Sequence, residues 1–212
     1  MNKTRRNKKI KKLLIGKATC SRFCPIVFLL IVVASISFSC RDSYTPHPYG
    51  YFRIYLPEHE YKIADTLNLP YQFYISNTAR IKTRPAEGEM YWIDILYPQL
   101  NGSIHCSYKG IDNNLFELSE DARRFVYAHS NIADGINEHY FEHPEKSVYG
   151  VLYDLQGNVA SPVQFVVTDS VKHFFRGALY FNNKPNKDSI APVVSYVRTD
   201  IVRLMESFEW ER

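Results

Sequence analysis

Residues 148–181, VYGVLYDLQGNVASPVQFVVTDSVKHFFRGALYF, decide the fold. Apolar and aromatic residues gather or alternate over 148–153, 163–168 and 173–181, and two turn formers, Gln156-Gly157-Asn158 and Asp169-Ser170, stand between the runs. Runs of this length bounded by Gly, Asn, Asp and Ser read as strands joined by tight turns. Three in succession make an antiparallel meander in the middle of the chain.

Upstream, 51–56 ends at Pro57 and 71–75 ends near Ser76-Asn77, and both read as strands. In 90–97, Tyr91, Ile93, Ile95 and Tyr97 share one face while Trp92 and Leu96 share the other. Apolar groups on both faces predict a central strand covered twice. Residues 104–108 follow after Asn101-Gly102, a tight hairpin signal. A helix is expected from Ser119 as N-cap, with Glu120 and Asp121 in its first turn and a stripe of Ala122, Phe125, His129, Ile132 and Ile136. After the polar loop 182–188, Ser189 can cap a second helix, with Pro192 in its first turn and a stripe of Val193, Val197, Ile201, Leu204 and Phe208. The order predicts an α+β domain, mainly an antiparallel sheet packed by two main helices. That element order resembles the PsbP/Mog1-type arrangement.

The N-terminus says where the domain works. Residues 1–22 carry nine Lys and Arg and no acid, 25–36 form an apolar run, and Ser37-Phe38-Ser39 leads into Cys40. The run is short of the roughly 20 residues a membrane span needs. A basic, then apolar, then small-residue order is a secretory signal, and a cysteine at its end is the lipoprotein form of it. We therefore expect a signal peptide over 1–39, a lipidated tether over 40–49 anchored at Cys40, and one globular domain over 50–212. Two acyl chains at about 0.8 kcal/mol per buried methylene hold a protein firmly at a membrane. Nine of the 26 Lys and Arg fall in the signal, so the remaining chain sets 17 against 22 acids, and the net charge of +4 turns to about −5. That excludes a basic footprint, and no nucleic-acid partner is expected. Cys20 and Cys24 leave with the signal, and Cys106, in an alternating run, reads as a core thiol.

Three constellations invite chemistry. His139-Tyr140-Phe141-Glu142-His143 fits the H-x-x-E-H spelling of inverted zinc peptidases, yet it stands at the frayed end of the expected helix just before Pro144. Zinc chemistry is not expected there. Asp169, Ser170 and His173 pair a nucleophile with a base and a carboxylate, but four residues in one turn rarely form a triad, and side-chain capping of the turn is the better account. His129, in an apolar stripe, reads as a core histidine, with a buried polar centre as its competitor. No catalytic residue, metal or cofactor is assigned. The 29 Tyr and Phe exceed the needs of one core and point to a partner surface with aromatic anchors.

The chain also resembles a known family. Tyr51-Phe52-Arg53-Ile54, Leu56-Pro57, Tyr61, Tyr97-Pro98, Ser107-Tyr108-Lys109 and His129 carry the likeness. So do Gly157-Asn158-Val159-Ala160-Ser161 and, above all, 164–190, with Gln164-Phe165, Thr168-Asp169-Ser170, Lys172-His173-Phe174, Gly177, Leu179-Tyr180-Phe181, Pro185-Asn186 and Asp188-Ser189. Together with Phe208-Glu209-Trp210 and the signal, these are similar to the gliding motility lipoprotein GldD family. The resemblance implies a cell-envelope lipoprotein of the Bacteroidota, on the periplasmic side or at the outer membrane. Its partners would be the membrane, through the anchor, and envelope proteins of the gliding or type IX secretion machinery. It implies no enzymatic activity. The chain departs from the family pattern at Ile132, where a Lys is expected. The contact surface is placed on Thr168, Asp169, Ser170, Lys172, His173, Arg176, Asn186 and Asp188. The alternative is an envelope enzyme or small-ligand-binding lipoprotein with a polar site around His129, Asp169 and His173.

Overall fold

The computed structural model describes residue 29 and residues 54–64, 68–84, 88–128, 132–183 and 186–211. The Cys40 anchor, the rest of the signal and His129 lie outside them.

The elements run β1 (Tyr61–Ile63), β2 (Tyr71–Gln72), β3 (Tyr74–Ser76), β4 (Arg80–Thr83), β5 (Ile93–Tyr97), β6 (Gly102–Gly110), α1 (Leu115–Tyr127), β7 (Ala133–His143), β8 (Val148–Gly157), β9 (Val163–Thr168), β10 (His173–Phe181), α2 (Lys187–Glu206) and β11 (Glu209–Trp210). Seven strands form one sheet in the order β4-β5-β6-β10-β9-β8-β7. Every pairing in it is antiparallel. The α+β expectation holds, and the meander 148–181 is its centre. Two ribbons, β1 with β3 and β2 with β11, lie outside the main sheet.

Alternation along the strands builds a core on each face. Ile93, Ile95, Ile104, Cys106, Leu152, Phe165, Val167, Phe175 and Leu179 pack with Val197, Ile201, Leu204 and Phe208 in one cluster. Tyr153, Leu155 and Val159 pack with Val126 of α1 in a second cluster, drawn from the opposite parity of β8. So α2 covers one face and α1 the other. The α2 stripe is buried as its spacing predicts, joined by Tyr196, Asp200 and Met205. Cys106 is fully buried, and that burial pushes its thiol pKa well above the ordinary range, so it is an inert core group.

Several local expectations need correction. Ile54–Leu56 is not a strand, and 51–53 lie outside the described residues. The strand expected over 90–97 starts at Ile93, because Tyr91 takes a left-handed φ of 66°. Only one of its faces is buried, Asp94 and Leu96 being half-exposed. The first helix begins at Leu115, not after Ser119, and ends at Tyr127. Its buried residues are Ala122 and Val126, whereas Phe125 is 52% exposed. Ile132 lies in a turn and Ile136 in β7, so the 3-4 spacing over 122–136 crosses an element boundary. Ser189 does not cap α2. Asn186 does, its side-chain oxygen accepting from the Ser189 N–H at 3.3 Å, and Pro192 sits inside the helix on its exposed side.

Two hairpins share one device. Pro98–Leu100 and Pro144–Lys146 each form a single 3₁₀ turn, closed by a left-handed residue, Asn101 at φ 51° and Ser147 at φ 52°. Proline presets the first turn residue, and the short polar residue tolerates the left-handed region. The hairpin expected at Asn101-Gly102 thus exists with a longer connection than two residues.

Candidate functional site

The β9–β10 turn is built by its own side chains. Asp169 Oδ1 accepts from the backbone N–H groups of Val171, Lys172 and His173 at 2.8–2.9 Å. Thr168 Oγ1 donates to the His173 carbonyl at 2.7 Å and accepts from the Ser170 N–H at 2.9 Å. Ser170 contributes its backbone, with φ at 67°. Partial burial pushes the Asp169 pKa up, but the three backbone donors outweigh it and hold the carboxyl below its ordinary value. His173 faces elsewhere: its Nδ1 is 2.7 Å from the Tyr108 hydroxyl and its ring stacks on Trp210 at 5.0 Å. Among the described residues no hydrogen bond joins the side chains of Asp169, Ser170 and His173, and these three form no triad.

The turn carries a pH prediction. A carboxylate whose folded pKa is depressed stabilises the fold above its unfolded pKa and loses that contribution as pH falls through the folded value. Asp169→Ala is expected to cost about 2 kcal/mol at neutral pH. The gap between its denaturation curve and that of the native protein should begin to narrow as the pH falls below about 4 and close only below the depressed folded value. Urea titrations across pH check this, and a gap that persists into acid would contradict it.

The proposed contact residues do not share one surface. Thr168–His173 lies at the start of β10, whereas Asn186 and Asp188 follow its end. Eight strand steps separate the two ends, about 26 Å. Arg176 stands between them on the face toward α1, its guanidinium 4.3 Å from the Phe125 ring centroid. At the far end Lys187 Nζ pairs with Asp134 at 2.6 Å, and the Lys187 N–H donates to Asn158.

The H-x-x-E-H residues lie on strand β7, not on a helix end. His139 and His143 are thereby about 13 Å apart along the strand, too far to share a metal. His139 Nε2 lies 3.1 Å from Asp154, which Arg198 grips through two nitrogens at 2.8–3.0 Å. Among the described residues no group of three or more His, Cys, Asp or Glu could hold a metal ion.

Two polar constellations escaped the sequence. On β5 and β6, Asp94 stands directly opposite His105, and its Oδ1 lies 2.7 Å from His105 Nδ1. His105 Nε2 is in turn 3.3 Å from Ser103 Oγ. These are nucleophile, base and carboxylate distances. An acyl-transfer site also needs free donors for an oxyanion, and Ser103 sits in a strand paired on both sides, with Leu96 and Tyr180. Both ladders already take the backbone N–H groups around it. Arg84 Nε closes the group 3.5 Å from Asp94.

The second constellation joins the chain entry to α2. Asp200 is 3% exposed; its Oδ1 is 2.7 Å from His59 Nδ1, and its Oδ2 accepts from the Tyr97 hydroxyl at 3.1 Å. His59 stacks on Tyr196 at 4.3 Å. Burial, followed by the Asp200 charge, pushes the Tyr61 hydroxyl up to about 12. This cluster pins the strap 54–60 to the helix. The partners are 141 residues apart, which no local pattern reveals.

A family model described as "Gliding motility lipoprotein GldD" matches residues 41–210, beginning directly after Cys40. No curated protein matches the chain. Among solved structures, the solution structure of cyanobacterial PsbP (CyanoP) from Synechocystis sp. PCC 6803 is similar at a TM-score of 0.44 and 15% identity, over 73% of this chain and 95% of that one.

Proposed function

The chain belongs to the gliding motility lipoprotein GldD family, and on that premise we propose that it is a non-catalytic component of an envelope assembly, the type IX secretion apparatus on which gliding depends. The match over residues 41–210 carries this reading, because it spans the whole domain downstream of the anchor cysteine. A diacylated Cys40 tethers the domain, and no helix among the described residues is long and apolar enough to cross a membrane. The domain then works by presenting a surface.

The side of α1 and the edge strand β7 is where exposed aromatics gather. Phe116 is 80% exposed and Tyr140 76%. The Tyr127 and Tyr140 hydroxyls both donate to the Glu138 carboxylate at 2.8 Å, which holds two aromatic rings upright on this side. Large aromatics held rigid beside a charge are the usual anchors of a protein contact.

A ligand-binding reading draws on the groove beside α1. It is about 230 Å³ in volume and lined by Ser119, Tyr140, Glu142, Tyr149, Tyr153 and Thr168 among others. That is smaller than the pocket of about 300 Å³ or more that a diffusible ligand calls for.

Complementation tests the proposal. In a gliding host that lacks the protein, the native chain is expected to restore spreading, and Cys40→Ala to fail although immunoblotting shows the protein present. Full spreading with Cys40→Ala would remove the anchor from the account.

A further inference from the structure

The two edges of the main sheet are not alike. One is β4, four residues long, with Arg80 and Lys82 exposed on it. A short edge that carries cations is a common guard against an added strand. The other is β7, eleven residues long, and it contains no Pro, Lys or Arg. Its register shift falls at Ala133/Gly135, at the start of the strand, and leaves the rest of the ladder regular. In an antiparallel pair, alternate residues turn both backbone groups away from the partner strand, so the outer side of β7 presents a row of N–H and C=O groups. Among the described residues no backbone group of another element bonds to that row.

The side chains beside the row carry acids of one sign of charge. Asp134, Glu138 and Glu142 are those acids, and Lys187 pairs with the first. Register places Glu138 opposite Tyr153, Tyr140 opposite Val151 and Glu142 opposite Tyr149, so the two glutamates flank Tyr140 on the α1 face. They stand about 13 Å apart along the strand. Among the described residues the ion pairs of β7 belong to Asp134 and His139, so neither glutamate has one. Arg123 of α1 acts on Glu138 electrostatically but lies over the Tyr127 ring, 5.2 Å from its centroid. Beside Glu142 opens the groove of about 230 Å³, with Tyr140, Tyr149 and Tyr153 in its walls. It is small for a free ligand, but a single long side chain delivered by a neighbouring strand fits such a space. Tyrosine rings beside an unpaired carboxylate suit an ammonium or a guanidinium.

We propose that the outer side of β7 accepts an added strand from a partner protein, an extended segment with Lys or Arg at two positions four apart and an apolar residue midway. The segment's backbone extends the ladder, and its alternate side chains read the α1 face. One cation meets Glu138, the apolar residue lies beside Tyr140, and the other cation meets Glu142 and enters the groove. A second copy of this chain does not fit as the occupant, because β7 has acids and no Lys or Arg to set against them. The inference rests on the assembly reading of the α1 and β7 side and names the chemistry of its partner.

The test uses the full-length lipidated protein in zwitterionic micelles, isotope-labelled and titrated to millimolar levels with the peptide acetyl-Ser-Thr-Lys-Thr-Val-Thr-Lys-Thr-Ser-amide. Saturable binding is expected, with slowed hydrogen exchange at alternate amides of 133–143 and none of that slowing on β4. Glu142→Lys alters an exposed side chain, so it should keep the native melting temperature and weaken peptide binding about tenfold or more. The same peptide with Glu in place of both Lys should not bind. No saturable binding, binding without protection of the β7 amides, or equal binding of the Glu peptide would each overturn the proposal. So would a dimer of the native protein protected along β7, which would assign the edge to a second copy. Recovery of envelope partners tests the assembly role separately, so failure of the peptide alone removes strand addition and leaves that role standing.

Discussion

Gly150→Ala is expected to lower the melting temperature of the domain by roughly 6–12 °C, the shift for a loss of about 3 kcal/mol in a domain of this size. Gly150 lies on β8, in the cluster face that meets α2. A Cβ there would stand 2.4 Å from the carbonyl oxygen of Val166 and 3.2 Å from Met205 Cε. The methionine can move. The carbonyl belongs to β9 and is held by the ladder on both sides, so relief requires bending the sheet at its centre. Gly177 offers the contrast: its Cβ would meet the Phe165 ring at 2.3 Å, but a ring can turn where a strand cannot. Gly177→Ala should therefore cost less than Gly150→Ala. Thermal melts by circular dichroism decide it, and a shift within about 2 °C for Gly150→Ala would contradict the packing described.

Phe208→Ala has the other large expected effect, a loss of about 3–5 kcal/mol. Phe208 is fully buried just past the end of α2. Its ring lies 5.3 Å from Phe175, 5.6 Å from Phe73, 5.8 Å from Tyr71 and 4.6 Å from Trp210. Removing it opens a ring-sized void and takes away aromatic pairs worth about 0.5–1.5 kcal/mol each beyond their buried area. It also loosens β11 from β2, because Trp210 and Tyr71 are register partners. Since the whole domain is stable by about 5–15 kcal/mol, this one truncation should take a large share. Urea unfolding checks it: the midpoint falls with an unchanged slope if only packing is lost.

The meander and α2 were legible because their signals are local. Over 163–181, turn chemistry at Asp169-Ser170 separates two runs whose apolar residues all find cover, and the stripe of α2 repeats with the helical period. Strand β7 was misread because Ala122, Phe125, His129, Ile132 and Ile136 kept a helical spacing by coincidence, past the point where the chain leaves α1. In 136–143 both parities, Ile136, Glu138, Tyr140, Glu142 and Asn137, His139, Phe141, His143, mix apolar with polar groups, so no clear competing signal stood out. An edge strand with no buried residue carries little apolar contrast, so its period of two was faint.

The polar constellations were illegible for a different reason. Asp94 meets His105 through cross-strand register, and His59 meets Asp200 through a tertiary contact, neither of which sequence spacing encodes. The alternation of Ser103, His105 and Ser107 against Ile104 and Cys106 was visible and marks one polar side of β6. What covers that side was not.

The most direct test of the central claim is recovery of partners with the lipidated protein from gently solubilised envelopes, identified by mass spectrometry, beside a Phe116→Ala/Tyr140→Ala variant. Both substituted side chains are exposed, so the variant should fold and remain anchored. The account predicts stoichiometric recovery of motility or secretion components with the native protein and their loss with the variant. Recovery of no envelope partner by the native protein would contradict an assembly role for this domain.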